Sequence, residues 1–176
     1  MTDLMTVRVP TWGDKPDWVL AAPFRAHVAQ LMEVAQVPWQ VIAYRAGVPL
    51  ATLRTLLFGR HGKVRTKITQ ESAEQLIGLG ADDLAWMRQS QISAEKASTR
   101  IRLLRSRQIP WPQIAELLTL DKDTCQAIAR GERTSCSVMV DILAQSACDS
   151  FGLDPWDTDD PEAIIAPEPD SADPES

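Results

Sequence analysis

The sequence predicts an all-α chain: two tandem units of about four helices each, followed by a disordered acidic C-terminal tail. Three observations carry this. Strand-type alternation is nowhere sustained beyond four or five residues, whereas helical spacing recurs through the middle of the chain. The segment QVPWQVIA at 36–43 returns as QIPWPQIA at 108–115, an internal repeat at an offset of 72. The last stretch, DPWDTDDPEAIIAPEPDSADPES, is rich in Pro, Asp, Glu and Ser, and has too little apolar surface to offset the entropy of ordering it.

Residues 1–21 hold Pro10, Gly13 and Pro16 without periodicity and read as an N-terminal arm. The first unit spans 22–79, with helices at 23–36, 39–46, 49–58 and 70–78. An acidic connector at 80–93 holds a short helix near 82–89. The second unit spans 94–153, with helices at 94–107, 111–118, 121–130 and 136–150. The tail occupies 154–176. At the offset of 72, Trp39, Ile42, Ala43, Val48, Thr52, Leu56 and Gly59 meet Trp111, Ile114, Ala115, Leu120, Thr124, Ile128 and Gly131. Further on, Leu76-Ile77 is matched to Ile142-Leu143 at an offset of 66, which makes the second copy six residues shorter after its glycine.

Composition and charge narrow the function classes. No apolar run reaches about 18 residues, so no membrane-spanning helix is expected. The N-terminus lacks the apolar core of a secretory signal, and a cytoplasmic, nucleoid-associated location is expected. Cys125, Cys136 and Cys148 form no CxxC pair, which argues against a disulfide framework, a Cys-rich zinc site or a four-Cys iron–sulfur cluster. His27 and His61 lack partners at ligand spacing, so neither a metal site nor a cofactor is expected. Gly-rich phosphate loops, HExxH and GxSxG are absent, and no nucleophile–base pair suggests an enzyme. The net charge of −6 is unevenly spread: residues 23–70 carry seven bases against one acid, and residues 151–176 carry nine acids and no base. Such an asymmetry suggests a polyanionic partner for the basic segment.

The centre of copy one, WQVIAYRAGVPLATLRTLLFG, fits one further pattern. Counted from Trp39, a small residue (Ala43) stands at position five, where two helices must approach closely, and Gly47 at position nine supplies a positive φ. Ile42, Ala46, Val48, Leu53 and Leu56 fall on the inward positions, Pro49 is tolerated in a first turn, and Gly59 ends the second helix. This is the helix-turn-helix template. In copy two Ala115, Leu118, Leu120, Cys125 and Ile128 take the inward positions, Thr119 replaces the turn glycine, and Asp121 stands where an N-cap is wanted.

Residues 22–79 resemble a helix-turn-helix module common in actinobacterial and actinobacteriophage DNA-binding proteins. The resemblance lies in an R-A-H-V start, I-A-x-x-A-G-V at the turn, T-L-x-x-L-L-x-G after it, a basic loop, and a final A-x-x-L-I helix. The tandem arrangement is similar to phage immunity repressors with two DNA-binding units in one chain. The resemblance implies a double-stranded DNA-binding transcriptional regulator, a repressor; that its two units are unlike implies an asymmetric site.

On that template the second helix lies in the major groove. In copy one Leu50, Ala51, Arg54 and Thr55 are the candidate base readers, with Pro49 and Phe58 on the same face; Arg54 suits a bidentate contact to guanine. Gln40, Arg45 and Thr52 suit the phosphate backbone, and Arg60, His61, Lys63, Arg65 and Lys67 of the loop GRHGKVRTK suit either the phosphate backbone or a narrow minor groove. In copy two Lys122, Gln126 and Arg130 are candidate base readers and Arg133 a backbone contact; Arg100, Arg102, Arg105 and Arg107 could add phosphate contacts. Asp121 and Asp123 on the same side would repel phosphates, so copy two is read either as a second DNA-binding unit or as a partner-binding duplicate. The competing class is an interaction adaptor that binds RNA polymerase or another regulator. Two unlike units favour a monomer over a homodimer, because palindromic sites mirror a two-fold axis. Trp39 and Trp111 are expected to pack as helix-start anchors, Cys125 as a core residue, and Cys136 and Cys148 to lie on the last helix. Trp156 suits a docking motif or a cap on that helix.

Overall fold

The computed structural model describes residues 17–154. The expected arm at 1–16 and the expected tail from 155 onward, Trp156 included, lie outside the described residues. The order of elements is β1 (Trp18–Leu20), α1 (Ala22–Ala35), α2 (Trp39–Ala46), α3 (Leu50–Phe58), β2 (Lys67–Thr69), α4 (Gln70–Ile77) and α5 (Ala81–Gln89). There follow β3 (Gln91–Ser93), α6 (Glu95–Ser106), α7 (Trp111–Leu118), α8 (Lys122–Ala129), β4 (Ser135–Ser137) and α9 (Val138–Ser150).

The protein is mostly helical, but the all-α expectation is corrected by two small antiparallel sheets, β1 with β2 and β3 with β4. Trp18 pairs with Thr69 and Gln91 with Ser137, so each copy opens and closes on the same ribbon. The backbone bonds around the ribbons correspond: the Ala21 N–H donates to the Thr66 carbonyl and the Ala94 N–H to the Thr134 carbonyl, both at 2.9 Å. Each strand is three residues long, too short for alternation to register, and its pairing is set by distant chain. Leu20 and its neighbours, read as the end of an arm, therefore belong to the fold.

The ribbon also corrects the alignment of the last helices. Ile68 and Cys136 are the buried residues of β2 and β4. Thr69 and Ser137 then cap α4 and α9, each side-chain oxygen accepting the N–H three residues on. The offset there is 68, so the second copy is four residues shorter after its glycine, not six, and Leu76 corresponds to Ala144. Cys136 consequently sits in β4 rather than on the last helix; Cys148 is on α9.

Helix boundaries follow local chemistry. Pro23 occupies the first turn of α1, where a missing N–H costs nothing. Pro38 and Pro110, both extended, start α2 and α7. The Asp121 carboxylate accepts the Thr124 N–H at 2.8 Å and caps α8. The α2–α3 turn is made by Gly47 at φ 73°, and the α7–α8 turn by Thr119 at φ 53°. Thr119 reproduces the glycine's bonds: the next residue, Val48 or Leu120, donates to Ala43 or Ala115 at 3.0 Å in both copies. The lost glycine is thus borne as strain, about 1–2 kcal/mol for an L-residue in the left-handed region.

Ile42, Leu53, Leu56 and Leu76 of copy one and Ile114, Leu118, Ile128 and Leu143 of copy two are fully buried. Each contributes roughly 1.5–3 kcal/mol of hydrophobic stabilisation. The buried residues of both copies join in one core. The connector shares in it: α5 exposes Asp82 and Asp83 and buries Leu84 and Met87, packing on α1, α2 and α9. α9, at 13 residues, outruns its eight-residue counterpart α4 and packs on α2 as well as on α6 and α7. There the Tyr44 hydroxyl donates to the Asp149 carboxylate, tying the two copies together.

Candidate nucleic-acid interface

The face of α3 directed away from the core carries Ala51 and Arg54, both exposed. Leu50, Thr52 and Thr55 are half-buried. The Thr55 hydroxyl donates to the Ala51 carbonyl at 2.6 Å, one turn back along the helix. Leu50 packs against the core and forms one wall of a groove of about 350 Å³ between the α2–α3 turn and Asp149. Phe58 is exposed at the end of α3, its ring edge-on to Trp39 at 6.1 Å.

The basic loop is an ordered hairpin. Arg60 and Lys63 exchange both backbone bonds, at 2.9 and 3.1 Å, across a two-residue turn. His61 and Gly62 have φ 52° and 77°, the double positive φ of a type I′ turn. Gly59 is required to set it against α3: its φ is 75°, and a Cβ there would lie 2.4 Å from the Lys63 carbonyl oxygen. Arg60, His61, Lys63 and Lys67 are exposed. Arg65 is half-buried, its guanidinium 5.9 Å from the Trp18 ring centroid. No Asp or Glu interrupts the run from Arg54 to Lys67.

Two residues that hold this surface carry no role in the sequence reading. Arg25 of α1 donates from Nε to the Leu56 carbonyl at 2.8 Å and from a terminal nitrogen to the Arg65 carbonyl at 2.7 Å. It clamps the last turn of α3 to the base of the hairpin, satisfying a carbonyl that the helix end leaves open. In copy two Ser98 of α6 makes one such bond, to the Ala129 carbonyl at 3.3 Å. The other residue is Trp18. Arg25 stands in the sequence only as the first residue of the R-A-H-V start, with no role attached, and nothing local marks Trp18.

On α2, Arg45 is exposed in the last turn. Gln40 is half-buried, and its amide oxygen is buried without a partner among the described residues.

Copy two presents a different surface. Lys122, Asp123, Arg130 and Arg133 are exposed and Gln126 is half-buried. Hydrogen bonds from Thr124, with Arg133 nearby, hold the Asp121 carboxyl below its usual range. Arg130 faces Glu132 at 3.9 Å, both exposed. The chain from Gly131 to Cys136 makes no hairpin of the kind at 60–63; the four residues that copy one has in excess are that hairpin. Among the α6 arginines, Arg100 is corrected: it is buried and bonded to Asp141 at 2.6 Å and to Gln145, out of reach of any phosphate. Arg105 is half-buried, donating to the Ile109 carbonyl and lying 4.9 Å from the Trp111 ring centroid, while Arg102 and Arg107 are exposed. Trp39 and Trp111 are half-buried against the core. All three cysteines are buried and free, and burial pushes the Cys125 and Cys148 thiols up to about 11.

No helix among the described residues is long and apolar enough to cross a membrane. Comparison with known proteins gives no match: no family model fits the chain, and no curated protein or solved structure is similar to it.

Proposed function

We propose that this chain is a sequence-specific double-stranded DNA-binding transcriptional regulator, acting as a repressor, with α2–α3 as its helix-turn-helix. The observation that carries the reading is the exposure of Arg54 and Ala51 on α3, followed directly in the chain by a cationic hairpin that exposes Arg60 and Lys63. α3 lies in the major groove, where Arg54 reaches guanine and Ala51 and the Thr55 methyl lie against thymine methyls. Arg45, Lys67 and the hairpin neutralise phosphate and set the register. α7–α8 repeats the geometry with the same turn bonds, and Gln126 and Lys122 stand at its reading positions. The two surfaces differ, so the site is asymmetric and the chain binds as a monomer. The kinship this reading implies is with the tandem helix-turn-helix regulators of actinobacteria and their phages.

A second reading is favoured by one feature of copy two: Asp121, Asp123 and Glu132 are exposed around α8, and the hairpin is missing. Copy two then contacts RNA polymerase or another regulator while copy one holds DNA. Selection of bound fragments from a random duplex pool tests both. A non-palindromic site spanning two contacts supports two reading units, a short single-contact site supports the adaptor role of copy two, and the absence of any enriched duplex contradicts DNA reading altogether.

A further inference from the structure

We infer that the hairpin at 60–63 enters the minor groove beside the α3 site, and that it selects narrow, A·T-type minor groove there. The inference rests on the major-groove reading of α3 and deepens it. Phosphate neutralisation alone needs no rigid scaffold, since flexible surface lysines suffice. Here the base of the hairpin is held at several points. Gly59 turns the chain off the last turn of α3, and Arg25 clamps that turn to the Arg65 carbonyl. Trp18 lies against Arg65, and β1 pins β2. The tip is thin: Gly62 has no atom within 4 Å of where a Cβ would stand.

Arg60 and Lys63 form a hydrogen-bonded antiparallel pair, so their side chains leave the same side of the hairpin with Cα atoms about 5.5 Å apart. Like charges placed directly opposite destabilise a ribbon, and no carboxylate in the chain from Arg54 to Lys67 relieves this pair. A narrow A·T minor groove offers the compensating field, because its negative potential is enhanced. The Arg60 guanidinium, more weakly hydrated than an ammonium, takes the groove floor and donates to adenine N3 and thymine O2. Lys63 stays at the phosphate wall. A guanine N2 amino group would occupy the space and present a donor to a donor.

The full chain is titrated against three alternating duplexes, poly(dA–dT), poly(dI–dC) and poly(dG–dC), at one salt concentration. Inosine–cytosine pairs carry the minor-groove pattern of A·T and the major-groove acceptors of G·C. The expected result is about tenfold weaker binding to poly(dG–dC) than to poly(dI–dC), whose major grooves offer Arg54 the same acceptors. Arg60→Ala should abolish the difference, and Lys63→Ala should weaken all three alike. If poly(dI–dC) behaves as poly(dG–dC), or if all three bind equally, the hairpin assignment is overturned while DNA binding by α3 stands. If none binds, both are overturned. Circular dichroism of the two variants checks that the fold is retained, and Arg54→Ala, which should keep the A·T-type preference, separates α3 from the hairpin.

Discussion

At the scale of single residues, the two turns offer a matched comparison. Gly47 and Thr119 hold the same left-handed conformation and the same bonds, but only glycine holds it without strain. Thr119→Gly recovers about 1–2 kcal/mol of strain and returns about 0.4–1 kcal/mol through the more flexible unfolded chain. The net expectation is a gain of about 1 kcal/mol, read as a higher denaturant midpoint at unchanged slope. Asp121 supplies a pH dependence. Thr124's hydrogen bonds favour its ionised form in the folded state, so its stabilisation is present above the usual carboxylate range. That contribution falls away as pH drops through the lowered value. Asp121→Asn keeps a capping oxygen, and its stability measured from pH 6 to 2 should vary less than that of the parent.

At the scale of elements, the helices were legible because their signals are local. Apolar spacing placed α2 and α7 on their observed residues, and Gly47, Gly59 and Asp121 marked ends that are found where glycine and a cap are needed. The strands were not legible, since three residues hold too little pattern and the partner of Trp18 lies at Thr69, across the whole first copy. The alignment after the glycines slipped by two residues for the same reason: the fixed points are Ile68 and Cys136 in those strands. Within the hairpin, Gly59 is the element's weakest point to perturb. Gly59→Ala drives a Cβ into the Lys63 carbonyl at a φ that other residues avoid, and should cost on the order of 1–3 kcal/mol. Thermal unfolding reads that loss, and displacement of the hairpin should weaken binding to every duplex.

At the scale of the whole molecule, the repeat foretold two copies but not how they join. α5 and the extra length of α9 merge them into one core, and the Tyr44–Asp149 bond crosses between them. Of the candidate interface, Arg54, Ala51 and the hairpin cations were readable from spacing and charge and are exposed. Arg25 and Trp18, which hold the surface in place, were not, because their partners are carbonyls and side chains that only the tertiary fold brings near. Arg100 shows the reverse case: a base in a basic helix reads as surface until Asp141 is found beside it. The most direct measurement of the central claim is the affinity of the full chain and of Arg54→Ala for every single-base variant of a duplex selected from the random pool. The account predicts that Arg54→Ala loses discrimination at one base pair, about 1–3 kcal/mol, and keeps it elsewhere. Lys63→Ala should weaken all variants evenly and reduce the salt slope by about one. Indistinguishable effects of the two substitutions on every sequence would contradict α3 as the reading helix.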